Sequence, residues 1–496
     1  MKEREKFGSR LGFILVSAGC AIGLGNVWKF PYMCGRYGGA AFILIYLVFL
    51  VILGLPIMVC EFSVGRKSRR GVASSFRVLE PEGRQWHLFG YLGILGNYLL
   101  MMFYTMVAGW MMYYFYQMVR GEMTGPEIGT VEIYRHFTGM LQDPKTLLFW
   151  TILVIVLSFG ICSLGVEKGI EKINKIMMIC LLGLIVVLVI NSVRLPGAEA
   201  GVKFFLVPNW NQMREIGIGN VIFAAMSQAF FTLSIGMGTM SIFGSYIDGS
   251  RSLAGESITI TLLDTFVALM AGLIVIPACF AYGIQPDAGP SLIFITLPTV
   301  FAKMAGGRIW GALFFLFLTF AALSTVIAVF ENIVSFGMDL WGWSRKKASG
   351  INIILVIALS LPCILGYNLL AGFHPLGDGS TIMDLEDFLV SNNVLPLGSL
   401  CYLMFCTSKH GWGWDNFIAE SNTGSGMRFS NKLRGYMTYI LPGIIVIIYL
   451  KGYYDLFSAQ GPLTCGIWMS IAGLWLLVIG WIVFGRKRVD KKSGLW

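Results

Sequence analysis

Runs of apolar residues about as long as a helix needs to cross a bilayer, roughly 20 residues, recur along the whole 496-residue chain. About twelve are predicted by that length criterion, near 11–36, 40–65, 88–119, 147–163, 170–192, 218–245, 256–284, 309–340, 349–367, 386–407, 435–450 and 466–485. With 56% hydrophobic and 13% charged residues, water cannot be the main solvent of such a chain. Inside hydrocarbon every backbone polar group must find a partner within the protein, which leaves helices as the natural reading of these runs. The expected class is therefore an all-α polytopic membrane protein. The first run carries glycines and an asparagine through its middle and has no small-residue cleavage site before the second, so it is not a signal peptide.

The net charge of +10 follows the membrane and gives no reason to expect a nucleic-acid partner. With a cytoplasmic N-terminus, the inner segments 1–10, 66–86, 167–175, 246–256, 341–349, 408–434 and 485–496 hold 26 of the 37 Lys and Arg. The excess of positive charge marks the inner side, so both termini are predicted to be cytoplasmic, in the inner membrane of a bacterium. The ten cysteines include no CxxC pair and His87, His136, His374 and His410 are scattered, so neither disulfides nor a histidine metal centre is expected. No polar stretch is long enough for a separate soluble domain. The expected division is an N-terminal gate segment 1–10, a ten-helix core 11–407 with halves 11–192 and 218–407, helices eleven and twelve with their preceding loop in 408–485, and a basic tail 486–496. The outer loops 285–308 and 368–385 are rich in Gly, Pro and Asp and read equally as caps over a vestibule or as plain connectors.

Two spans break the helix rule in the same way. Gly19-Cys20-Ala21-Ile22-Gly23-Leu24-Gly25-Asn26 puts three glycines and an asparagine at mid-bilayer depth, and Phe231-Thr232-Leu233-Ser234-Ile235-Gly236-Met237-Gly238 repeats the pattern in the sixth span. Each glycine costs about 1 kcal/mol in a helix interior relative to alanine. Small residues also let helices pack closely in membranes, but the flanking Asn26, Thr232 and Ser234 favour unwound segments that line a polar cavity. The two spans are equivalent positions if ten helices form two inverted five-helix repeats with a site at their interface.

At these residues the sequence resembles the neurotransmitter:sodium symporter family, in particular its bacterial amino acid transporters. The segments that carry the resemblance are Arg10-Leu-Gly-Phe-Ile-Leu, Gly19-x-Ala-x-Gly-Leu-Gly-Asn-x-Trp-Lys-Phe-Pro31, Gly38-Gly39, Pro56-x-x-x-x-Glu61, Gln228-Ala-Phe-Phe-Thr-Leu-Ser234 and Ala321-x-Leu-Ser324-Thr325. They extend over about four-fifths of the chain, and their order and spacing together are specific. The resemblance implies a LeuT-type fold, twelve helices with a 5+5 inverted repeat and broken helices one and six, and sodium-coupled import by alternating access.

It also implies two sodium sites. One takes the Ala21 carbonyl, Asn26, Thr232 and Asp264 with the substrate carboxylate; the other takes the carbonyls of Gly19, Ile22 and Ala321 with the hydroxyls of Ser324 and Thr325. Hard cations prefer such oxygen ligands, although hydroxyls on a helix more often bond back to their own backbone. Asp264 stands where the family usually has asparagine, and Ala268 where chloride-dependent relatives have serine. The expectation is that Asp264 supplies the negative charge and transport needs no chloride. The implied substrate site comprises Ala21, Gly23, Leu24, Gly25 and Tyr104 around the carboxylate and Phe231, Thr232 and Ser234 around the amino group. Leu100, Met237, Ala322, Thr325, Ala328 and Val329 complete it against the side chain. Amine transporters of the family carry aspartate at the position of Gly23, so an amino acid is expected, aromatic or large aliphatic in view of the pliable Gly236-Met237-Gly238 stretch.

The implied outer gate is Tyr104 and Phe231 below Lys29 with Asp387 or Glu386, and the inner gate is Arg4 with Asp339, near Phe7, Ser245 and Tyr246. Glu61 is expected to brace the unwound sixth helix, whereas Glu331 reads only as a buried structural contact. Spans eleven and twelve could support a homodimer or face lipid. Two other readings keep the same pocket: proton-coupled transport through Asp264 or Glu331, and a sensor that binds an amino acid without moving it. No nucleophile, base and orienting group assemble as a catalytic set, so no enzyme is expected.

Overall fold

The computed structural model describes residues 5–125, 127–284 and 291–486. Among them, ten helices are long and apolar enough to span a bilayer: Ala40–Ser68, His87–Arg120, Pro144–Ser163, Val166–Val193, Leu253–Ala281, Gly307–Trp341, Arg345–Leu365, Ile382–Thr407, Asn431–Gln460 and Pro462–Phe484. An eleventh is the bent pair Arg10–Ala21 and Gly25–Arg36, whose halves meet at 55°. The twelfth is the sixth in chain order, split into Ile218–Thr232 and Thr239–Gly244. The predicted twelve spans are all present, and their breaks fall in the first and sixth. The chain is an integral membrane protein.

Burial separates a scaffold from its periphery. The eighth span is buried over 78% of its most apolar stretch and the third over 72%, against 22% for the twelfth. Spans one and six lie among these buried helices, and spans eleven and twelve form an outer flank. An even number of spans brings both ends of the described chain to one face of the membrane, here the terminal face.

A local rule shapes four of the spans and one connecting helix, Leu292–Lys303. Pro31, Pro56, Pro298, Pro396 and Pro442 each follow a wide π-helical turn, at Gly25–Lys29, Leu50–Gly54, Leu292–Thr296, Val390–Val394 and Tyr436–Ile440. In every case the residue before the proline donates its amide to the carbonyl five residues back. A proline has no amide hydrogen, and its ring collides with the carbonyl four residues earlier. One extra residue in the preceding turn relieves that collision without leaving the helix. The prolines thus widen these helices where the sequence alone suggests a stop.

The connections hold more helix than their composition suggests. Thr130–Gln142, Glu199–Leu206, Trp210–Ile216 and Leu292–Lys303 lie on the face opposite the termini. The segment 285–308, read equally as a cap or a plain connector, is helical over Leu292–Lys303, with 285–290 outside the described residues. Val72–Leu79 and Trp414–Ser421 do the same on the terminal face.

Candidate substrate and sodium site

The break in the first span is short. Its first half ends at Ala21, Ile22 turns to φ −70°, ψ 78°, and its amide still reaches Ala18 O. The break in the sixth is longer, running from Leu233 to Gly238 between the two half-helices. Gly236 and Gly238 adopt φ of +100° and +80°, in the left-handed region that favours glycine. A Cβ on Gly236 would stand 2.3 Å from Leu395 O, and one on Gly238 2.4 Å from Val72 Cγ2. Ser234 shares the left-handed conformation at φ 50°.

Unwound backbone at this depth needs partners from elsewhere, and the neighbouring spans supply them. Gly236 donates its amide to the buried Glu61 carboxylate. The Met237 carbonyl accepts from Asn97 Nδ2 at 3.0 Å and from Asn332 Nδ2 at 3.4 Å, and Asn332 Nδ2 also reaches Asn97 Oδ1 at 3.2 Å. Gln228 Nε2 donates to Gly25 O at 3.0 Å, tying the sixth span to the first. Asn97, Asn332 and Gln228 were not among the expected site residues; an intramembrane amide is itself the signal that could have found them.

Between the two breaks lies a closed cluster of oxygen atoms. Asn26 Nδ2 donates to Asp264 Oδ1 at 2.8 Å and to Asp264 O at 3.1 Å. Thr232 Oγ1 donates to Asp264 Oδ2 at 3.2 Å and lies 3.4 Å from Tyr46 OH. Asn26, Thr232 and Asp264 are fully buried, and Asn26 Oδ1 has no hydrogen-bond partner among the described residues. The carboxylate is thus met only by neutral groups. On the other side of the first span, Ser324 Oγ lies 2.8 Å from Gly19 O and 2.9 Å from Ala321 O. Thr325 Oγ1 is 3.3 Å from Gly19 O, 3.2 Å from Cys20 O and 3.4 Å from Ala321 O. Two hydroxyls carry only two hydrogens, so this second group of oxygens has lone pairs to spare. The Ile22 carbonyl has no contact recorded with it.

Gly23 and Tyr104 fit each other. The Tyr104 hydroxyl accepts from the Leu24 amide at 3.0 Å. A Cβ on Gly23 would stand 2.5 Å from that hydroxyl and 2.8 Å from Thr325 Oγ1. The space at Gly23 is therefore occupied by the tyrosine, where the sequence suggested open room. A Cβ on Gly25 would come within 2.9 Å of Phe231 Cδ1. Leu100, Tyr104, Met237, Ala322, Thr325, Ala328 and Val329 are all buried, and Phe231 is half-buried.

The profile of the sodium:neurotransmitter symporter family matches residues 4–129 and 132–483. The chain belongs to that family. It is a sodium-dependent symporter with the LeuT-type fold. It is 33% identical over 448 residues to an uncharacterized sodium-dependent transporter, YhdH, of Bacillus subtilis, covering 90% of this chain and 97% of that one. It is 25% identical over 513 residues to the sodium-dependent serotonin transporter of Drosophila melanogaster, covering 92% of this chain and 78% of that one. The crystal structure of MhsT in complex with L-phenylalanine superposes with a TM-score of 0.80 at 36% identity, covering 90% of this chain and 99% of that chain.

At the face opposite the termini, the symporter places Lys29 Nζ 3.6 Å from the centroid of the Phe231 ring, a cation–π contact. Asp387 is the carboxylate in electrostatic range of Lys29, and its Oδ1 accepts from Ser391 Oγ at 2.7 Å. Glu386, the other expected partner, is buried beside the Cys363 thiol of the ninth span.

At the terminal face the expected pairing of Arg4 with Asp339 has its arginine outside the described residues. Asp339 Oδ2 accepts from the Gly71 amide at 2.7 Å, and its Oδ1 lies 3.8 Å from Arg70 Nη1. Phe7 packs edge-on against Tyr246, ring centroids 5.9 Å apart, and also against Phe13 and Phe243. Glu331 is more than a passive contact: it forms a two-pronged pair with Arg345, Nη1 to Oε2 at 2.5 Å and Nη2 to Oε1 at 3.0 Å, and accepts from the Tyr246 hydroxyl. Arg345 Nε reaches Glu5 Oε1 at 3.1 Å, and Glu5 Oε2 takes the Val166 amide at 2.8 Å. The Glu171 carboxylate in turn holds Gly8 N and Ser9 Oγ, each at 2.7 Å.

Proposed function

We propose that this symporter imports a hydrophobic amino acid, aromatic or large aliphatic, together with two sodium ions and without chloride. The observation that carries this reading is the buried cluster of Asn26, Thr232 and Asp264 between the two broken spans. A carboxylate met only by neutral groups in hydrocarbon calls for a counter-ion. A sodium ion there would engage Asp264, Thr232, the orphaned Asn26 Oδ1 and the Ala21 carbonyl. With the charge supplied by Asp264 and Ala268 one turn on, no chloride is required. A second ion would take the oxygens of Gly19, Ile22, Ala321, Ser324 and Thr325.

The substrate carboxylate would approach the first sodium and the Leu24 and Gly25 amides at the start of a half-helix, with the Tyr104 hydroxyl beside it. Its amino group would meet carbonyls of the unwound sixth span near Phe231, Thr232 and Ser234. Leu100, Met237, Ala322, Thr325, Ala328 and Val329 would line its side chain, an apolar set that accords with the phenylalanine bound to MhsT. The distribution of Lys and Arg supports a cytoplasmic terminal face. Sodium binding would favour the outward-open form, substrate would bring Tyr104, Phe231 and Lys29 together over the site, and loss of the second ion would release the terminal-face contacts. Each sodium ion moving down 100 mV supplies about 2.3 kcal/mol before any concentration term.

One observation supports a rival: an acid whose partners are neutral can also carry a proton. Uptake of a panel of labelled amino acids into proteoliposomes, under sodium, potassium or proton gradients imposed separately, decides between them. Sodium-driven accumulation that persists when gluconate replaces chloride is expected. Accumulation driven by the proton gradient alone supports the rival, and none under a sodium gradient overturns the symport reading for the panel.

A further inference from the structure

A cavity of about 340 Å³ opens between the third, tenth and twelfth spans, away from the substrate site. Leu92, Gly96, Leu99, Val394, Leu397 and Trp475 form most of its wall. The amide of Asn393 is already used: its Oδ1 accepts from Tyr453 OH at 2.6 Å and Tyr449 OH at 3.3 Å, and its Nδ2 donates to Phe388 O at 3.3 Å. A water molecule needs two to four polar partners, so this wall does not hold one. Leu95 on the rim is 54% exposed on a membrane-spanning helix, which opens the crevice to hydrocarbon.

The same three spans come together at the terminal face, where the third begins at His87, the tenth ends at Thr407 and the twelfth ends at Phe484. Arg84 donates to Phe484 O at 3.1 Å and meets His410 Nδ1 at 2.6 Å, and the Trp86 indole donates to His410 O at 2.8 Å. Burial first, and then the charges of Arg84, Lys409 and Arg486, hold the His410 imidazole below its ordinary pKa. Arg84 contacts the ring, and Lys409 and Arg486 lie within electrostatic range of it. Lys409 and Arg486 are exposed, and the nearby Glu80 carboxylate is taken by the ring and amide of His87. From Ile479 at the cavity to Gly485 beside Arg84 is about 9 Å along the twelfth helix.

We infer that this crevice is a binding site for one anionic phospholipid, its phosphate at the exposed Lys409 and Arg486 and an acyl chain between the third, tenth and twelfth spans. The charge of the mouth selects the headgroup class, and the dry apolar wall selects hydrocarbon. The site has a route to transport as well. Gly398 lines the crevice, and a Cβ there would stand 1.9 Å from Gly236 O in the unwound sixth span. A chain lodged behind Gly398 restrains that segment.

The inference stands on membrane insertion alone and is tested by binding. Native mass spectrometry of the purified full chain, titrated with phosphatidylglycerol or phosphatidylcholine of matched acyl chains, reads retention directly. Phosphatidylglycerol is expected to stay bound at roughly tenfold lower concentration, and the surface double variant Lys409→Gln/Arg486→Gln to abolish that preference. Leu95→Trp, at the exposed rim, is expected to weaken long-chain lipid retention with the fold checked by its melting temperature. Equal retention of the two lipids, a preference untouched by the double variant, or displacement of the bound lipid by water-soluble glycerol phosphate overturns the assignment.

Discussion

At the residue scale, two side chains carry most of the proposed chemistry. Tyr104 gives the Leu24 amide its acceptor, so Tyr104→Phe leaves a buried donor unpaired at a cost of about 1–3 kcal/mol. The expected outcome is substrate binding weakened by roughly tenfold, read by isotope displacement from the purified protein; unchanged affinity would remove Tyr104 from the site. Asp264→Asn keeps the shape of the cluster and deletes its charge. Sodium-driven uptake by that variant should fall and then recover partly as chloride is raised, whereas a flat chloride response would count against Asp264 as the substitute for the anion. Asn26, Thr232 and Asp264 were legible in the sequence because an acid deep in a span demands an explanation. Asn97 and Asn332 were not: only the fold shows both turned toward the Met237 carbonyl.

At the element scale, the sequence made the breaks legible and only part of how they are held. Glycines at mid-bilayer depth signalled unwinding in spans one and six, and Glu61 of span two was expected to brace the sixth, but the further partners from spans three and eight are revealed by no local pattern. Asn332→Leu is expected to leave the Met237 carbonyl with Asn97 as its donor and to lower the melting temperature by a few degrees, for a loss of about 1 kcal/mol. If sodium protects this variant against heat as fully as it protects the parent, the brace is peripheral to the site. The proline-linked wide turns were equally hidden, since proline in a helical pattern reads as a stop. The short helices Thr130–Gln142 and Leu292–Lys303 escaped for a related reason: they sit between spans and are shorter than a crossing requires.

At the scale of the whole molecule, the terminal face is closed by buried charge. Glu331 and Arg345 join spans eight and nine, Tyr246 brings in the sixth, and Glu5 brings in the N-terminal segment and the start of the fifth. Glu331→Gln leaves the largely buried Arg345 with the more exposed Glu5 carboxylate as its partner, and breaking the buried pair costs about 3–5 kcal/mol. The face is then expected to loosen, so that Cys162, whose carbonyl accepts from Arg345 at 3.2 Å, reacts faster with thiol reagents applied to that face. A labelling rate equal to the parent's, followed on the Cys162 peptide by mass spectrometry, would show that the pair does not hold the closure. None of this wiring was legible beforehand, because an acid and an arginine fourteen residues apart meet only when two helices turn back on each other. The fit between Gly23 and Tyr104 reaches across spans in the same way, and it bears on how such transporters diverge. An aspartate at position 23 collides with the tyrosine hydroxyl, and a smaller residue at 104 strands the Leu24 amide. A side chain at position 23 is therefore admitted only where the Tyr104 hydroxyl moves away, so the two positions are expected to change together.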